Sequence, residues 1–413
     1  MSLVTRRKSC RLCDSGRVEL ALPIAPSPIA EAYVTSSGLG QAQPTFPLDL
    51  HLCLDCGHAQ NLDVVDPEVL FRDYIFTTSS SGSLLKHFED YANEIVNKFN
   101  VAPGSLIVEV GSNDGSLLKY FQSHDMRVVG IDPAREIAHA ATAENVETIP
   151  EFFNAALARN LRKERGAATV VCANNVFAHS DDLSEIVEGV RELLIDDGVF
   201  VFEVSYLLDI VDSYLFDTIY HEHVSYHSIM PLQLFFRRHG MELFDVQRIG
   251  SKGGSIRGFA QRAPTGQRQV SSGVHACLEM EEERKLSHLQ TFKDYGARIN
   301  KRKLAVADFV KGERRKGKMI AGYGASTTAT TLMWHFDLTR ELSFICDDNS
   351  KKHGLYAPGC HIPVVPSEEL YIRSPDSVIV LAWQYYDVIA ARHLQFTEQG
   401  GKFVVPLPDL MVI

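Results

Sequence analysis

The sequence predicts an α/β protein organised around a doubly wound, parallel β-sheet, and three observations support this fold class. An apolar run at 106–108 carries Glu109 and leads directly into a glycine loop, Gly111–Gly115, after which helix-forming residues follow. A second apolar run ends on Asp132, 21 residues after Gly111. Apolar runs then alternate with helical sequence as far as residue 204. This alternation predicts a sheet whose functional site lies at the carboxyl ends of its strands.

The individual elements follow from hydrophobic periodicity. Five strands are expected in the central sheet, at 106–109, 128–131, 147–153, 168–173 and 199–204. Helices are expected at 84–99, 116–121, 135–144 and 183–194, where apolar residues recur at helical spacing. Cys172 lies within a buried strand and is interpreted as a core residue.

The glycine loop indicates S-adenosylmethionine (SAM) rather than a dinucleotide. A dinucleotide loop needs Gly-x-Gly-x-x-Gly so that backbone amides can meet a pyrophosphate. Here Glu109 precedes the loop and Asn113-Asp114 lies inside it, so the carboxylates would repel a diphosphate but suit a cationic ligand. Asp132 is placed to accept hydrogen bonds from ribose hydroxyls. The predicted cofactor contacts are Glu109, Gly111, Asn113, Gly115, Asp132 and Asn174. The alternative is a glycine turn that serves only helix–strand packing.

Composition narrows the class of protein. The chain has 413 residues, a formal net charge of −11 and no long Lys/Arg block, so no nucleic-acid partner is expected. No signal-like apolar segment and no run long enough to span a membrane is present, which predicts a cytoplasmic protein. Its eight cysteines are then expected to be thiols or metal ligands rather than disulfides.

Two Cys-x-x-Cys pairs near the N-terminus predict a structural Zn²⁺ site. Cys10, Cys13, Cys53 and Cys56 offer four thiolates to one tetrahedral ion, which leaves no open position for catalysis. The long, proline-containing sequence between the pairs could form a small sheet behind the metal. His51 and His58 are interpreted as bystanders. The alternative is a redox pair or two unrelated motifs.

The segment 71–87 is rich in hydroxyl side chains and is too polar for a core strand. It is either a solvated linker or a lid that contacts substrate through Tyr74 or the serines.

His221-Glu222-His223 is the second chemical feature of the chain. Two histidines are too few for a metal site, so a proton-transfer cluster is the more natural interpretation. A histidine oriented by a neighbouring acid can take a proton near neutral pH, and a nearby phenol can bond an enolate oxygen. The alternative is a set of surface polar residues at a helix end.

The last third of the sequence predicts a second Rossmann-like domain. A charged, helical stretch at 274–316 precedes a strand and a second glycine loop, Gly322-Tyr323-Gly324-Ala325. The hydroxyls that follow this loop could line a helix N-terminus and accept a phosphate. A purely scaffolding domain is the alternative.

The order of these motifs resembles one family along essentially the whole chain. The two Cys-x-x-Cys pairs, the Glu-Val-Gly-Ser-Asn-Asp-Gly loop, Tyr220-His-Glu-His223 and Gly322-Tyr-Gly-Ala325 are typical of the three-part, SAM-dependent C-methyltransferases of nucleotide-linked 4-keto-deoxysugars. The resemblance implies a class I methyltransferase doubly wound sheet with a small N-terminal zinc-binding module and a C-terminal Rossmann-like domain. The corresponding boundaries are 1–72, 73–262 and 263–413.

The resemblance also implies an activity and a set of catalytic residues. His223 matches the family's base, Glu222 and Tyr220 match its active-site partners, and Tyr74 matches the tyrosine of the N-terminal loop. The expected reaction is methylation of C-3 of a dTDP-linked sugar through an enolate, and no protein partner is implied. The family often has Tyr-x-Tyr before the serines, whereas this chain has Tyr74-Ile75-Phe76.

Two other functions are compatible with the same motifs. One is a SAM-dependent O- or N-methyltransferase acting on a nucleotide sugar or a related metabolite. The other is a non-catalytic SAM-fold binding protein, or an NAD-dependent enzyme that uses the C-terminal loop. The presence of Glu109, Asp132 and His223 argues against a non-functional pocket.

Overall fold

The computed structural model describes residues 3–72, 74 and 77–413, and these residues form four β-sheets. Within this part of the chain, no helix is long and apolar enough to cross a membrane. The expected α/β class is confirmed, with two larger sheets flanked by helices and two small ones near the N-terminus.

The N-terminal part forms a two-stranded ribbon and most of a small antiparallel sheet. The ribbon pairs β1 with β5, and the sheet pairs β2 with β3 and β3 with β4. The elements are β1 (Val4–Arg6), β2 (Val18–Leu22), β3 (Leu50–Cys53), β4 (Ala59–Asn61), β5 (Asp63–Val65) and α1 (Pro67–Phe71).

The central part is a seven-stranded sheet with helices on both faces. The elements in this part of the chain are α2 (Gly82–Lys98), β6 (Leu106–Val110), α3 (Ser116–Gln122), β7 (Arg127–Ile131), α4 (Arg135–Ala143), β8 (Thr148–Ile149), α5 (Ala155–Arg165), β9 (Ala168–Asn174), α6 (Leu183–Leu193), β10 (Leu194–Ser205), α7 (Leu207–Asp212), β11 (Ser225–Tyr226), α8 (Ile229–Arg238), β12 (Met241–Ile249) and β13 (Ser255–Arg262). All of these strands except β11 belong to the seven-stranded sheet. The strand order is β12-β13-β10-β9-β6-β7-β8, so the order reverses between β6 and β9. A ligand crevice is expected at that reversal, beyond the carboxyl ends of the strands.

The sheet is larger than the sequence predicted. The five expected parallel strands are present, and β12 and β13 extend the β10 edge as an antiparallel pair. Neither β12 nor β13 is among the strands that the sequence predicts for this sheet. Antiparallel pairing at the edge depends on long-range register, which local periodicity does not report.

The C-terminal part forms a second, six-stranded sheet. Its elements, with the two helices that precede them, are α9 (Ser272–Glu283), α10 (Leu289–Arg315), β14 (Ile320–Tyr323), α11 (Thr327–His335), β15 (Ile345–Asp347), β16 (Val364–Pro366), α12 (Glu369–Arg373), β17 (Ser377–Val380), α13 (Tyr386–Arg392), α14 (Leu394–Glu398), β18 (Lys402–Val405) and β19 (Met411–Val412). The order is β16-β15-β14-β17-β18-β19, and all strands are parallel except β19. This is the expected Rossmann-like arrangement.

The strand β11 connects the central part of the chain to the N-terminal sheet. This short strand follows the central parallel strands in the chain, yet it pairs with β4 and forms the edge of the N-terminal sheet. The residues just before β11 include the His221-Glu222-His223 motif, so N-terminal residues lie directly beside it. The domain boundaries given above remain predictions.

A buried ion pair fixes the edge of the central sheet and the helix α2. Glu203 on β10 lies opposite Arg257 on β13, and both side chains are 3% exposed. The Arg257 Nε donates to Glu203 at 2.6 Å, and Arg257 also pairs with Glu94 of α2 at 2.6 Å. Burial alone would raise the pKa of Glu203, but the hydrogen bond with His87 and the charge of Arg257 outweigh it and hold the pKa below its usual value.

We expect Arg257→Met to destabilise the protein by about 3–5 kcal/mol, because it leaves the buried Glu203 carboxylate without its cation. Arg262 is the matched control, since it lies on the same strand but pairs with Asp196, whose side chain is 77% exposed. Arg262→Met should cost at most about 1 kcal/mol. Urea unfolding curves of both variants measure the difference, and equal losses would contradict the account of this pair.

Candidate active site

One cavity of about 450 Å³ lies at the strand-order reversal of the central sheet. Its wall is formed by strand ends of the central sheet together with N-terminal residues and the segment before β11. Nine predicted site residues line it, namely Tyr74, Glu109, Gly111, Asn113, Asp132, Asn174, Tyr220, Glu222 and His223. Gly115 does not line the cavity, although it ends the glycine loop. Residues expected to hold a cofactor and residues expected to act on a substrate therefore share one space.

The glycine loop needs two residues without side chains. Gly111 and Gly115 have φ values of +71° and +72°, a region that L side chains rarely adopt. A Cβ at Gly111 would lie 2.2 Å from Val176 Cγ2, and one at Gly115 would lie 2.8 Å from Val146 Cγ1. Gly111 thus lets the chain turn at the cavity, and Gly115 lets α3 start close to its neighbours.

Asp132 organises the loop as well as facing the cavity. Its Oδ2 accepts the Asn113 N–H at 2.8 Å, and its Oδ1 accepts the Ala134 N–H at 2.9 Å. Each carboxylate oxygen has a second lone pair, so hydroxyl donors can still be accepted. Burial raises the pKa of Asp132 above its ordinary value, which those two backbone bonds partly oppose.

Several buried polar atoms at the cavity have no partner among the described residues. They are Glu109 Oε2, Ser112 Oγ and both amide atoms of Asn174, although the Asn174 amide lies near enough to the Glu109 carboxyl to oppose the rise in its pKa. Buried polar groups are rarely left unpaired, so these atoms fit a ligand that carries amino and hydroxyl groups. Burial raises the pKa of Glu109 well above its usual value, and a cationic ligand group beside it would lower that pKa again. This donor and acceptor set fits SAM.

The hydroxyl-rich segment is docked onto the glycine loop. The Thr78 N–H donates to Asn113 Oδ1 at 2.9 Å, and the Ser79 N–H donates to Asp114 Oδ2 at 2.8 Å. These bonds favour the lid interpretation over that of a solvated linker. Residues 75 and 76, where the sequence departs from Tyr-x-Tyr, lie outside the described residues.

A backbone carbonyl orients His223. Its Nδ1 lies 2.9 Å from the Thr218 carbonyl oxygen, and its Nε2 lies 3.0 Å from the Tyr220 hydroxyl. Because a carbonyl only accepts, Nδ1 carries the hydrogen. Nε2 therefore keeps its lone pair, which accepts a hydrogen bond from the Tyr220 hydroxyl. The expectation of a neighbouring acid as the orienting group is wrong, since the carbonyl of the preceding turn already occupies Nδ1.

The motif does not lie at the surface of a helix end, so that alternative is also wrong. His221 and Glu222 are buried, and the motif lies between a helical turn at Phe216–Thr218 and β11. His221 does not line the cavity, because its ring packs edge-on against Phe46 with the centroids 5.7 Å apart.

Burial sets the protonation states of this group. It lowers the pKa of His223 to about 4, against the opposing effect of the Thr218 bond, so the imidazole is neutral at neutral pH but is a weaker base than an exposed histidine. It raises the pKa of Glu222 to about 7, with the nearby charge of Glu31 adding to the effect. Burial also raises the pKa values of Tyr74 and Tyr220 above their usual range, which keeps both phenols protonated as donors.

Among the lining residues that the sequence analysis did not single out are two basic side chains, His179 and Lys252. The ring of His179 lies 5.1 Å from the ring of His223 and stacks on Phe71 at 5.5 Å, while its Nε2 has no partner among the described residues. Lys252 also lines the cavity and has a φ of +53°. The only sequence signal for His179 is its place just after a parallel strand, beyond Asn174.

The four N-terminal cysteines converge on one point away from this cavity. Their sulfur atoms all lie within 4.8 Å of one another, with Cys10–Cys56 at 3.6 Å and Cys13–Cys53 at 3.5 Å. Tetrahedral Zn²⁺ with bonds of about 2.3 Å requires sulfur–sulfur distances of about 3.8 Å, so the cluster fits this ion. His58 bonds Ser225 Oγ instead, at 3.2 Å.

The second glycine loop is tied to N-terminal residues. Both the Tyr33 hydroxyl and the Lys352 ammonium donate to the Ala325 carbonyl at 2.7 Å. The Thr327 hydroxyl at the start of α11 donates to Glu31 at 2.6 Å. Whether this loop binds a phosphate or only supports the fold stays a prediction.

Comparison with known proteins identifies the family. Three family models match the chain in order, a zinc binding domain at 10–71, a methyltransferase domain at 85–246 and a C-methyltransferase C-terminal domain at 250–408. The C-methyltransferase NovU of Streptomyces niveus is 34% identical over 405 residues, which cover 98% of this chain and 96% of NovU. The chain belongs to this C-methyltransferase family. It is a SAM-dependent methyltransferase with a zinc-binding N-terminal module.

Solved structures are similar to part of this C-methyltransferase. Magnesium protoporphyrin IX methyltransferase from Synechocystis PCC 6803 is 14% identical, with a TM-score of 0.34 over 43% of this chain and 82% of its own. The CcbJ methyltransferase from Streptomyces caelestis is 14% identical, with a TM-score of 0.35 over 43% of this chain and 89% of its own. These scores are low, and the family assignment rests on the family models and NovU.

We expect about one tightly held zinc ion per chain, because four thiolates at these distances satisfy tetrahedral coordination. Cys13→Ser should lose zinc and impair folding or solubility. Cys360→Ser is the control, since Cys360 lies outside the cluster and should leave the metal content unchanged. Metal analysis of protein purified without chelators measures both, and a zinc-free wild type would contradict the expectation.

We expect Asp132→Ala to weaken SAM binding by roughly 2–3 kcal/mol, because it removes charge-assisted hydrogen bonds to the ribose and two bonds that shape the loop. Glu136→Ala is the control, since Glu136 is an exposed acid on the helix that follows. Calorimetric titration with SAM measures both affinities. Unchanged affinity in Asp132→Ala would show that the cofactor lies elsewhere.

Proposed function

We propose that this enzyme methylates a carbon, C-3, of a nucleotide-linked 4-keto-deoxysugar through an enolate. One observation carries the proposal: the neutral His223 imidazole, with a hydrogen-bonded phenol at its Nε2, faces the same cavity as the residues proposed to hold SAM. Methylation of carbon requires that a C–H bond be broken, so such an enzyme needs a base near the methyl donor. The resemblance of the motifs supports the nucleotide sugar and its dTDP carrier.

The ketone makes the reaction accessible to an imidazole base. A carbonyl at C-4 acidifies the proton at C-3, and removal of that proton places negative charge on the C-4 oxygen. His223 Nε2 takes the proton, because Nδ1 is already engaged by the Thr218 carbonyl. General base catalysis of this kind contributes typically about 10²–10⁴-fold.

Tyr220 and His223 act as a pair in this scheme. Before reaction the phenol donates to Nε2 at 3.0 Å. Because Nε2 has only one lone pair, the phenol hydrogen must turn away from it, toward the C-4 oxygen of the substrate, before Nε2 can take the C-3 proton. The protonated Nε2 then donates to the phenol oxygen, while the phenol hydrogen stabilises the negative charge on the enolate oxygen. Tyr74, also protonated and at the cavity, is a second donor to the substrate.

The cofactor side is held by the glycine loop and the strand ends. SAM supplies an electrophilic methyl group when it is bound. Glu109 and Asn174 have the unpaired atoms that suit its polar groups, Asp132 suits the ribose, and the backbone at Gly111 allows close approach. The four cysteines are the proposed zinc ligands, and their closed coordination makes that metal structural.

Membership in a C-methyltransferase family favours carbon over the O- or N-methylation that the motifs left open. A hydroxyl or amine acceptor would not need a ketone. The substrate class, a nucleotide-linked 4-keto-deoxysugar, follows from the resemblance alone, and it is tested by assaying dTDP-linked sugars with and without a 4-keto group.

We expect His223→Asn to retain SAM binding and substrate binding but to lose turnover by about 10²–10⁴-fold, because the base is removed. His221→Asn is the matched control, since His221 is buried two residues away but does not line the cavity. Turnover with a dTDP-4-keto-deoxysugar, with NMR of the product, measures the effect. Near-normal turnover in His223→Asn, with the methyl group still on carbon, would remove His223 from the mechanism.

A further inference from the structure

A buried arginine connects the zinc-binding module to the wall of the cavity. Arg11 lies between Cys10 and Cys13, and its side chain is fully buried. Its Nε donates to Asp181 Oδ1 at 2.9 Å, and one terminal nitrogen donates to the Val224 carbonyl at 2.9 Å. The same nitrogen bonds Gln60 Oε1 at 3.2 Å. One guanidinium therefore joins two separate segments of the cavity wall to the first Cys-x-x-Cys pair, residues 10–13, which we call the cysteine knuckle.

Both of those segments belong to the active site. Asp181 and Val224 line the cavity, and Val224 directly follows His223. Asp181 lies two residues after His179, whose ring lies beside that of His223.

Other N-terminal contacts hold the same stretch of backbone. Asn61 donates its N–H to the Val224 carbonyl at 3.0 Å and its side-chain amide to the His223 carbonyl at 3.2 Å. The Tyr226 hydroxyl also donates to the His223 carbonyl, at 2.9 Å. The carbonyl groups of His223 and Val224 are thus both fixed, and Arg11 is the member of this set that comes from the cysteine knuckle.

We propose that Arg11 is a positioning residue, which uses the cysteine knuckle as a rigid support to hold the backbone of His223 at the cavity. The proposal rests on the role proposed above for His223. It gives the zinc-binding module a part in catalysis without placing the metal near the reacting atoms.

The bonding pattern distinguishes positioning from simple stabilisation. Two acceptors of the Arg11 side chain have a second donor, since Gln60 Oε1 accepts the Arg11 backbone N–H at 3.0 Å and the Val224 carbonyl accepts from Asn61. The third, Asp181 Oδ1, loses its arginine, but this side chain is 41% exposed and keeps its pair with Arg7 through Oδ2 at 3.1 Å. Unlike the buried Glu203, Asp181 can therefore be solvated when Arg11 is replaced, and the expected loss of stability is small. What is lost is the rigid link between the knuckle and two walls of the cavity.

Only arginine can make this link. Its planar fork presents donors in fixed directions, so Nε and a terminal nitrogen can serve Asp181 and Val224 together. A lysine has one ammonium on a flexible chain and cannot hold both acceptors in this geometry. Arg11→Lys should therefore keep the charge and lose most of the positioning.

The test compares Arg11→Met and Arg11→Lys with Arg238→Met in the full-length, zinc-loaded protein. Arg238 is the matched control, because it donates to the Leu12 carbonyl of the same knuckle at 3.1 Å and, among the described residues, has no hydrogen bond or ion pair with the His223 segment. Hydrogen–deuterium exchange of the peptide 221–226 is the primary measurement, with zinc content, SAM affinity and thermal midpoint measured alongside. None of these requires the sugar substrate, so failure of the proposed function would not be mistaken for failure of this inference.

We expect Arg11→Met to increase exchange in 221–226 by about tenfold or more, as local opening becomes easier, while zinc content and SAM affinity stay unchanged. Turnover with the sugar should fall by on the order of 10–100-fold in kcat with little change in KM, as expected for a misplaced base. Arg11→Lys should behave similarly and Arg238→Met like the wild type.

Two results would overturn the proposal. One is unchanged exchange in 221–226 for both Arg11 variants. The other is loss of zinc with increased exchange throughout the N-terminal sheet, which would make Arg11 a structural residue of the knuckle. If Arg11→Met does not fold, Arg11→Lys alone decides between these outcomes, because it retains the buried charge beside Asp181.

Discussion

The hydrogen bond between His223 Nδ1 and the Thr218 carbonyl is the interaction on which the rest of the site depends. It fixes the tautomer, so that Nε2 holds the lone pair and faces Tyr220. Burial then keeps the ring neutral, since it lowers the pKa of His223 to about 4. A neutral, oriented imidazole does not first have to lose a proton to solvent, which suits the proposed role of His223 as the base. The geometry of a six-residue turn, 218–223, thus determines which nitrogen is available to the proposed base.

A short turn cannot hold that geometry alone, and all three parts of the chain contribute to it. From the C-terminal part, the Trp383 indole donates to the buried Asp217 at 2.8 Å, and the Thr331 hydroxyl donates to the Ile219 carbonyl at 2.8 Å. From the N-terminal part, Asn61 and Arg11 hold the carbonyls that follow. In this chain the turn is therefore held by residues from both the N-terminal and the C-terminal parts.

The sequence alone predicts features whose signal lies within a few neighbouring residues. The loop from Gly111 to Gly115 is recognisable because only glycine tolerates its backbone, and two Cys-x-x-Cys pairs are a specific pattern. The sequence does not predict features that depend on contacts between residues far apart in the chain or on backbone groups. The Thr218 carbonyl carries no side-chain signal, so the orienting group of His223 was assigned wrongly to an acid. The strand β12 was missed for the same reason, because its pairing with β13 depends on tertiary register.

The central claim is that His223 removes a proton from the carbon next to a ketone. The most direct measurement incubates a dTDP-4-keto-deoxysugar with the enzyme and S-adenosylhomocysteine in D₂O, where methyl transfer is blocked, and follows the C-3 proton by NMR. The account predicts that the wild type exchanges this proton with deuterium and that His223→Asn, with the sugar still bound, does not. Exchange by His223→Asn at the wild-type rate would contradict it.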